Sequence, residues 1–249
     1  MPSRTLSPAF TLPSPQTGTT YHLYIESPDP QKDPGPWPVV FFTDGDDQFT
    51  AAVGAYRSLR AEGKVPPLLL VGVGYGASYT RPGNRRVRDY TPTLVATEED
   101  SGNAASFISF LNTTLWEEIE RRYPVTSDNC GIGGHSLGSL LGIVAAFDGS
   151  NRFTRILASA PSLWWDDRSV FNQVSALHAL KPQVRARLYL SVGLEDSYSM
   201  TGDLALFETL LREKPFFGLE VVSRRFEGRN HYDVIGEAFT DGLAVLYGT

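Results

Sequence analysis

The second half of the chain alternates two kinds of segment, and that alternation is the strongest constraint on its fold. The short apolar runs "DNCGIGGHS", "RILASA" and "RLYLSVG", followed by "LEVVSRRFEG", read as strands. Between and after them, "LGSLLGIVAAF", "RSVFNQVSALHAL", "DLALFETLLREK" and "YDVIGEAFTDGLAVLYG" carry helical spacing. A strand that is apolar on both faces must be covered on both faces. The pattern therefore predicts an α/β protein with a mostly parallel central sheet and helices on both sides. The first half fits the same plan. "TYHLYIE" alternates as a strand does, "PVVFFTDG" and "PPLLLVGVGYG" read as buried strands, and "FTAAVGAYRSLRAEG" reads as a helix stopped at Gly63. "SGNAASFISFLNTTLWEEIERRYP" predicts one long amphipathic helix, capped at Ser101 or Asn103 and stopped by Pro124. The Pro-rich stretch 27–38 reads as a surface loop rather than a boundary, so residues 1–249 are expected to form a single domain.

Within this frame "GGHSLG" carries the chemistry. Ser136 lies at G-x-S-x-G spacing where a predicted strand ends and a predicted helix begins. Such a turn strains the serine backbone and projects its hydroxyl. Side chains at Gly134 or Gly138 would collide with the strand and helix that cross there. The helix N-terminus supplies free N–H groups and partial positive charge where an oxyanion would form.

A serine hydroxyl needs a base. The chain has four histidines. His22 lies in the alternating N-terminal strand, His135 flanks the serine and is expected to point away from it, and His178 sits on an amphipathic helix. His231, in the turn "EGRNHYD" after the last strand, is expected at the same sheet edge as Ser136. The turn "GLEDSYS" one strand earlier offers the acid, Asp196 or Glu195, with the shorter Asp196 preferred; Asp166 and Asp167 are the alternative. The order serine, acid, histidine is that of an α/β-hydrolase. Leu137 N–H is the expected first oxyanion donor. Asp46 N–H, in the loop "FFTDGDDQF" after an early strand, is the second.

Other classes fit poorly. A net charge of −6 argues against a general nucleic-acid binder, and no apolar run approaches the length of a membrane span. The four histidines and one cysteine are scattered without metal-ligand spacing, so no metal and no organic cofactor is expected. Cys130 reads as core, and a single cysteine forms no intrachain disulfide. With no leader-like segment at the start, a cytoplasmic protein is expected. The oligomeric state is not legible.

The stretches "FFTDGDDQF", "VGVGYG", "RDYTPT", "GGHSLGS", "SAPSLWW", "GLEDS" and "FEGRNHYDVIGEAF" together resemble the esterase D-like family of the α/β-hydrolase superfamily. That family includes S-formylglutathione hydrolases, feruloyl and acetylxylan esterases, siderophore esterases and mycolyltransferases. "RDYTPT" with "PSLWW" looks most like the siderophore-esterase branch. The resemblance implies Ser136 as nucleophile, His231 as base and the Asp46 loop as part of the oxyanion hole. It leaves the acid open, because some members resemble Ser–His pairs. It implies acyl-ester chemistry on a small-molecule ester, aryl, catechol or acetyl-sugar, and not which one. A non-enzymatic binding protein on the same fold is the alternative class.

For the substrate, "YTRPGNRRVRDYTPT" concentrates arginines in an acidic chain. Arg85, Arg86 and Arg88 are expected either as an anion-binding rim or as a solvated basic loop. Asp89 and Tyr90 are expected to anchor this loop, and Trp164 to form an aromatic wall.

Overall fold

The computed structural model describes residues 7–150 and 152–248. One eight-stranded sheet organises them. Its strands are β1 (Phe10–Pro13), β2 (Thr20–Glu26), β3 (Trp37–Phe42), β4 (Leu69–Gly74), β5 (Val125–His135), β6 (Arg155–Ser159), β7 (Gln183–Gly193) and β8 (Phe217–Phe226). The order across the sheet is β1-β2-β4-β3-β5-β6-β7-β8. Pairing is parallel from β4 through β8, and antiparallel only between β1 and β2 and between β2 and β4. This is the mostly parallel, helix-covered sheet expected from the alternation. The short strand β1 was not foreseen; "FTLP" alternates between half-buried and exposed and carries too little apolar signal.

The helices divide between the two faces. The helices α1 (Phe49–Ala61) and α8 (Ile235–Tyr247) cover one face, packing Phe49, Tyr56, Phe239 and Leu243 against Val40, Phe42 and Tyr189. The other face is covered by α3 (Ala104–Phe110), α4 (Trp116–Arg122), α5 (Leu137–Ala146), α6 (Trp165–Leu180) and α7 (Tyr198–Glu213). A short helix α2 (Arg86–Tyr90), not expected from the sequence, lies in the arginine-rich loop.

Two helices depart from expectation, each for a local reason. The long helix is interrupted by a π-turn at Leu111–Leu115, where Thr113 donates its hydroxyl to the Ser109 carbonyl and Gln16 donates to both Thr113 and Thr114. Asn103 is its N-cap residue but makes no side-chain cap bond. Regular helix in α6 begins after Arg168, where "RSVFNQVSALHAL" predicts it, because Asp166, Asp167 and Arg168 all have positive φ. The last helix starts at Ile235 rather than Tyr232: the Asn230 side chain accepts from the Tyr232 and Asp233 amides and holds that stretch in a turn.

Because the central strands are parallel, their carboxyl ends share one edge. The loops after β3, β5, β6, β7 and β8 all open there. Cys130, in β5, is fully buried well inside that edge, and burial pushes its thiol up to about 12. Native protein should therefore leave a disulfide reagent such as DTNB unreacted for hours at pH 8, whereas protein unfolded in guanidinium should release one equivalent. Rapid native labelling would show that β5 opens.

Candidate active site

Ser136 joins β5 to α5 at φ 59° and ψ −120°. A serine adopts this only at a cost of about 1–3 kcal/mol. Its neighbours hold it there. The Ser136 amide donates to the Ser159 carbonyl, and the Ser139 hydroxyl ties the Gly134 and Ser159 carbonyls together. A β-carbon on Gly134 or Gly138 would land on the Thr43 hydroxyl at the end of β3. The two glycines are thus required by the close passage of β3, β5 and α5, as the motif implied.

The His231 Nδ1 lies 2.7 Å from Asp196 Oδ2. The Asp196 side chain is 4% exposed, against 23% for His231. Two turns bring them together. The acid-bearing turn after β7 stacks on the histidine turn after β8: Leu194 and Glu195 donate their amides to the carbonyls of Phe226 and Arg229. Gly193 permits this contact, since a β-carbon there would run into the Arg229 carbonyl. Glu195 remains exposed and takes no part, and neither Asp166 nor Asp167 meets the histidine. With Nδ1–H given to the carboxylate, Nε2 is left to accept a proton.

His135 makes no side-chain hydrogen bond with Ser136, but it packs against His231, a contact not foreseen from the sequence. Its ring is buried under His231, with centroids 4.5 Å apart, and its Nδ1 is 3.0 Å from Ser159 Oγ. Burial drives this imidazole well below its ordinary value, and His231 and Arg86 push in the same direction. His135 is therefore a neutral support beneath His231.

The Leu137 and Asp46 amides donate to no acceptor among the described residues. The Asp46 carboxylate fixes its own segment, accepting from Tyr24 Oη and from the Tyr75 and Gly76 amides. Gly45 lies so near β4 that a β-carbon would meet the Val73 backbone at 2.8 Å. The Leu137 amide, at the start of α5, and the Asp46 amide, in the loop after β3, are thus both free to donate.

The basic rim is corrected for two of its three arginines. Arg86 is largely buried and makes a bidentate pair with the wholly buried Asp44, at 2.7 and 2.9 Å. Burial alone would lower its guanidinium; the Asp44 charge more than reverses this and raises it. Arg88 spends its fork on Asp89 and Thr19. Arg85 is exposed and pairs with exposed Asp100 at 2.8 Å. Asp89 also accepts from Tyr21 and Tyr75, and the Tyr90 hydroxyl accepts from the Asp44 amide. These residues brace the loop that carries Asp46. Sequence reading saw a cluster of positive charge but had no way to see the carboxylates folded back onto it.

Trp164 is 44% exposed beside the loop after β6, while Trp165 is buried and donates to Thr93. Exposed Tyr79 and Tyr232 were not singled out from the sequence; Tyr79 lies over the Arg86 guanidinium and Tyr232 packs on His231. Ser162 was also missed. It is buried, and its hydroxyl lies 3.1 Å from Ser136 Oγ.

A strained serine on an elbow at the carboxyl edge of a parallel sheet, with a carboxylate-paired histidine on the last crossover loop, defines an α/β-hydrolase. Residues 14–234 match the family described as "Putative esterase". The chain belongs to that family, and it is a carboxylic ester hydrolase. It is 26% identical to the ferri-bacillibactin esterase BesA of Bacillus subtilis, over 92% of this chain and 88% of that one. It is 29% identical to the siderophore triacetylfusarinine C esterase of Aspergillus fumigatus, over 64% of this chain but only 57% of that protein. The crystal structure of the BES protein from Bacillus cereus superposes with a TM-score of 0.83 at 25% identity, covering 99% of this chain and 97% of that one. The siderophore hydrolase EstB from Aspergillus nidulans shares the fold, with a TM-score of 0.83 at 22% identity over 99% and 96% of the two chains. Among the described residues no helix is long and apolar enough to cross a membrane.

Two stability measurements probe this site. Arg86→Ala strands the buried Asp44 charge and should cost about 3–5 kcal/mol in urea unfolding. Arg85→Ala should change stability by less than about 1 kcal/mol. Equal effects would mean that Arg86 is not the partner Asp44 depends on.

His135 predicts a pH effect. Its folded value lies below the ordinary 6.5, so the unfolded chain binds the extra proton. Its contribution is complete above about pH 6.5 and is lost as pH falls, by up to about 1.4 kcal/mol per pH unit. Unfolding free energies between pH 7 and pH 5 should fall more steeply for the native sequence than for His135→Gln. Parallel curves would place the proton elsewhere.

Proposed function

We propose that the chain hydrolyses its ester through an acyl-enzyme on Ser136, with His231 as general base and Asp196 orienting it. The observation that supports this most directly is the 2.7 Å His231–Asp196 contact beside the elbow. His231 Nε2 takes the Ser136 proton as Oγ attacks the ester carbonyl carbon. The carbonyl oxygen gains charge and is met by the Leu137 and Asp46 amides. The tetrahedral adduct collapses, the C–O bond to the alcohol breaks, and His231 returns the proton to that alcohol. Water then attacks the acyl-enzyme by the same route. Asp196 keeps the imidazole in one tautomer and offsets its charge in the adduct.

The substrate reading is a siderophore-type ester, of the catecholate-lactone kind. The names of the relatives support this, as do the exposed aromatic rings of Trp164, Tyr79 and Tyr232 on loops at this edge. With Arg86 and Arg88 committed to Asp44 and Asp89, recognition falls to these rings rather than to an arginine rim. A simple aryl ester would serve the same chemistry, and a panel of ferric-siderophore, feruloyl, acetyl-sugar and p-nitrophenyl esters separates the two by kcat/KM.

Ser136→Ala should abolish ester turnover while leaving the melting temperature close to that of the native sequence, and a fluorophosphonate should label the native protein at Ser136 alone. Asp196→Asn should lower kcat by up to about 10⁴-fold. Glu195→Gln should be nearly silent. Two silent carboxylate variants would leave a Ser136–His231 pair working without an acid.

A further inference from the structure

Ser136 makes no hydrogen bond to His231 in this structure. Its hydroxyl meets Ser162 Oγ at 3.1 Å instead, and this is the sole side-chain partner of Ser162 among the described residues. The Ser162 amide in turn donates to the Ser136 carbonyl at 3.2 Å. Ser162 is only 1% exposed, so water does not compete for its hydroxyl. A buried serine thus touches Ser136 twice, at its hydroxyl and at its carbonyl.

The loop that delivers it is itself strained. β6 ends at Ser159, and Ala160 takes a φ of 43°, a left-handed conformation that alanine seldom adopts. The Ala160 amide is held by the Ser191 carbonyl of β7, and the Leu163 amide turns back to the Pro161 carbonyl. Backbone strain in a residue other than glycine persists where the surroundings over-determine it, and it clusters at functional sites. Here its effect is to carry the chain back over the elbow and set Ser162 on the nucleophile.

We propose that Ser162 is a further catalytic residue, a hydrogen-bond donor to the nucleophile oxygen. The inference rests on the reading of Ser136 as nucleophile. At rest either hydroxyl can donate. Once His231 has taken the Ser136 proton, Ser136 Oγ has only lone pairs to offer, so Ser162 must be the donor. Ser162 keeps its own proton throughout. During acylation its hydrogen bond steadies the oxygen as negative charge appears on it and the bond to the carbonyl carbon forms. During deacylation the bond from Ser136 Oγ to the acyl carbon breaks, the electron pair returns to Oγ, and His231 supplies the proton. The Ser162 hydrogen bond stabilises that departing oxygen. It also aligns the Ser136 rotamer before substrate arrives, which leaves His231 free to engage when the ester is bound.

The test compares the full native chain with Ser162→Ala and Ser162→Cys. Cysteine fills nearly the same space but is a weak donor. Three quantities are read: kcat and KM on p-nitrophenyl acetate, the second-order rate of Ser136 phosphonylation by a fluorophosphonate, and the melting temperature. Both variants should lose about tenfold to a hundredfold in kcat, and a similar factor in phosphonylation, as expected for one charge-assisted hydrogen bond. KM should stay within about twofold and melting within a few degrees. A Ser162→Cys enzyme with native kcat and native phosphonylation overturns the proposal. So does a loss confined to KM, which would make Ser162 a substrate contact. Should Ser162→Ala fail to fold, the cysteine variant decides. A native chain that neither turns over ester nor labels at Ser136 would instead overturn the parent reading, a result distinct from an unaffected Ser162 variant in an active enzyme.

Discussion

Ser136 holds its strained backbone because the sheet leaves it no alternative. β3, β5 and α5 cross so closely that Gly134 and Gly138 both abut the Thr43 hydroxyl. The Ser159 carbonyl, from the neighbouring strand β6, accepts both the Ser136 amide and the Ser139 hydroxyl. Three parallel strands therefore set one torsion pair. Relaxing it would break buried hydrogen bonds, each expensive to leave unmade. The same turn leaves the Leu137 amide, first in α5, without an acceptor.

A buried polar layer performs the same task for the opposite wall. Asp44, itself at positive φ, is gripped by Arg86 and by the Tyr90 hydroxyl, and Asp89 by Arg88, Tyr21 and Tyr75. Buried ion pairs contribute little net stability, because desolvation offsets most of the attraction. What they fix is geometry, and each partner is costly to remove alone. Here the fixed object is the segment carrying the Asp46 amide. Its carboxylate extends the network to β2 and to the loop after β4.

His231 is positioned by turns rather than by a regular element. β7 and β8 are adjacent and parallel, so their following loops lie side by side. Backbone bonds between these loops, and the bare α-carbon of Gly193, bring Asp196 against His231. Asn230 holds the chain out of helix just long enough to present the ring, and His135 supports it from beneath as a neutral partner. A charged support there would oppose the imidazolium of the proposed mechanism.

The sequence by itself determined the parallel part of the sheet, its helices on both faces, and the edge that carries Ser136, Asp196 and His231. Those follow from local causes: hydrophobic periodicity, glycine spacing and the direction of parallel strands. It also named the two amides left without acceptors, since these sit at fixed offsets from the elbow and from Gly45. The choice between Asp196 and Glu195 hung on one residue of turn geometry, which folding resolved by burying one and exposing the other. Tertiary structure alone decided the fate of the arginines and the placement of His135 and Ser162. A run such as "RRVRDY" shows its charges but not the carboxylates that fold back to neutralise them. Asp44 lies some forty residues from Arg86, and Ser162 reaches Ser136 only through a strained turn on a different strand. Contacts of that kind depend on which side chains share a buried volume, and no local pattern in the chain records it.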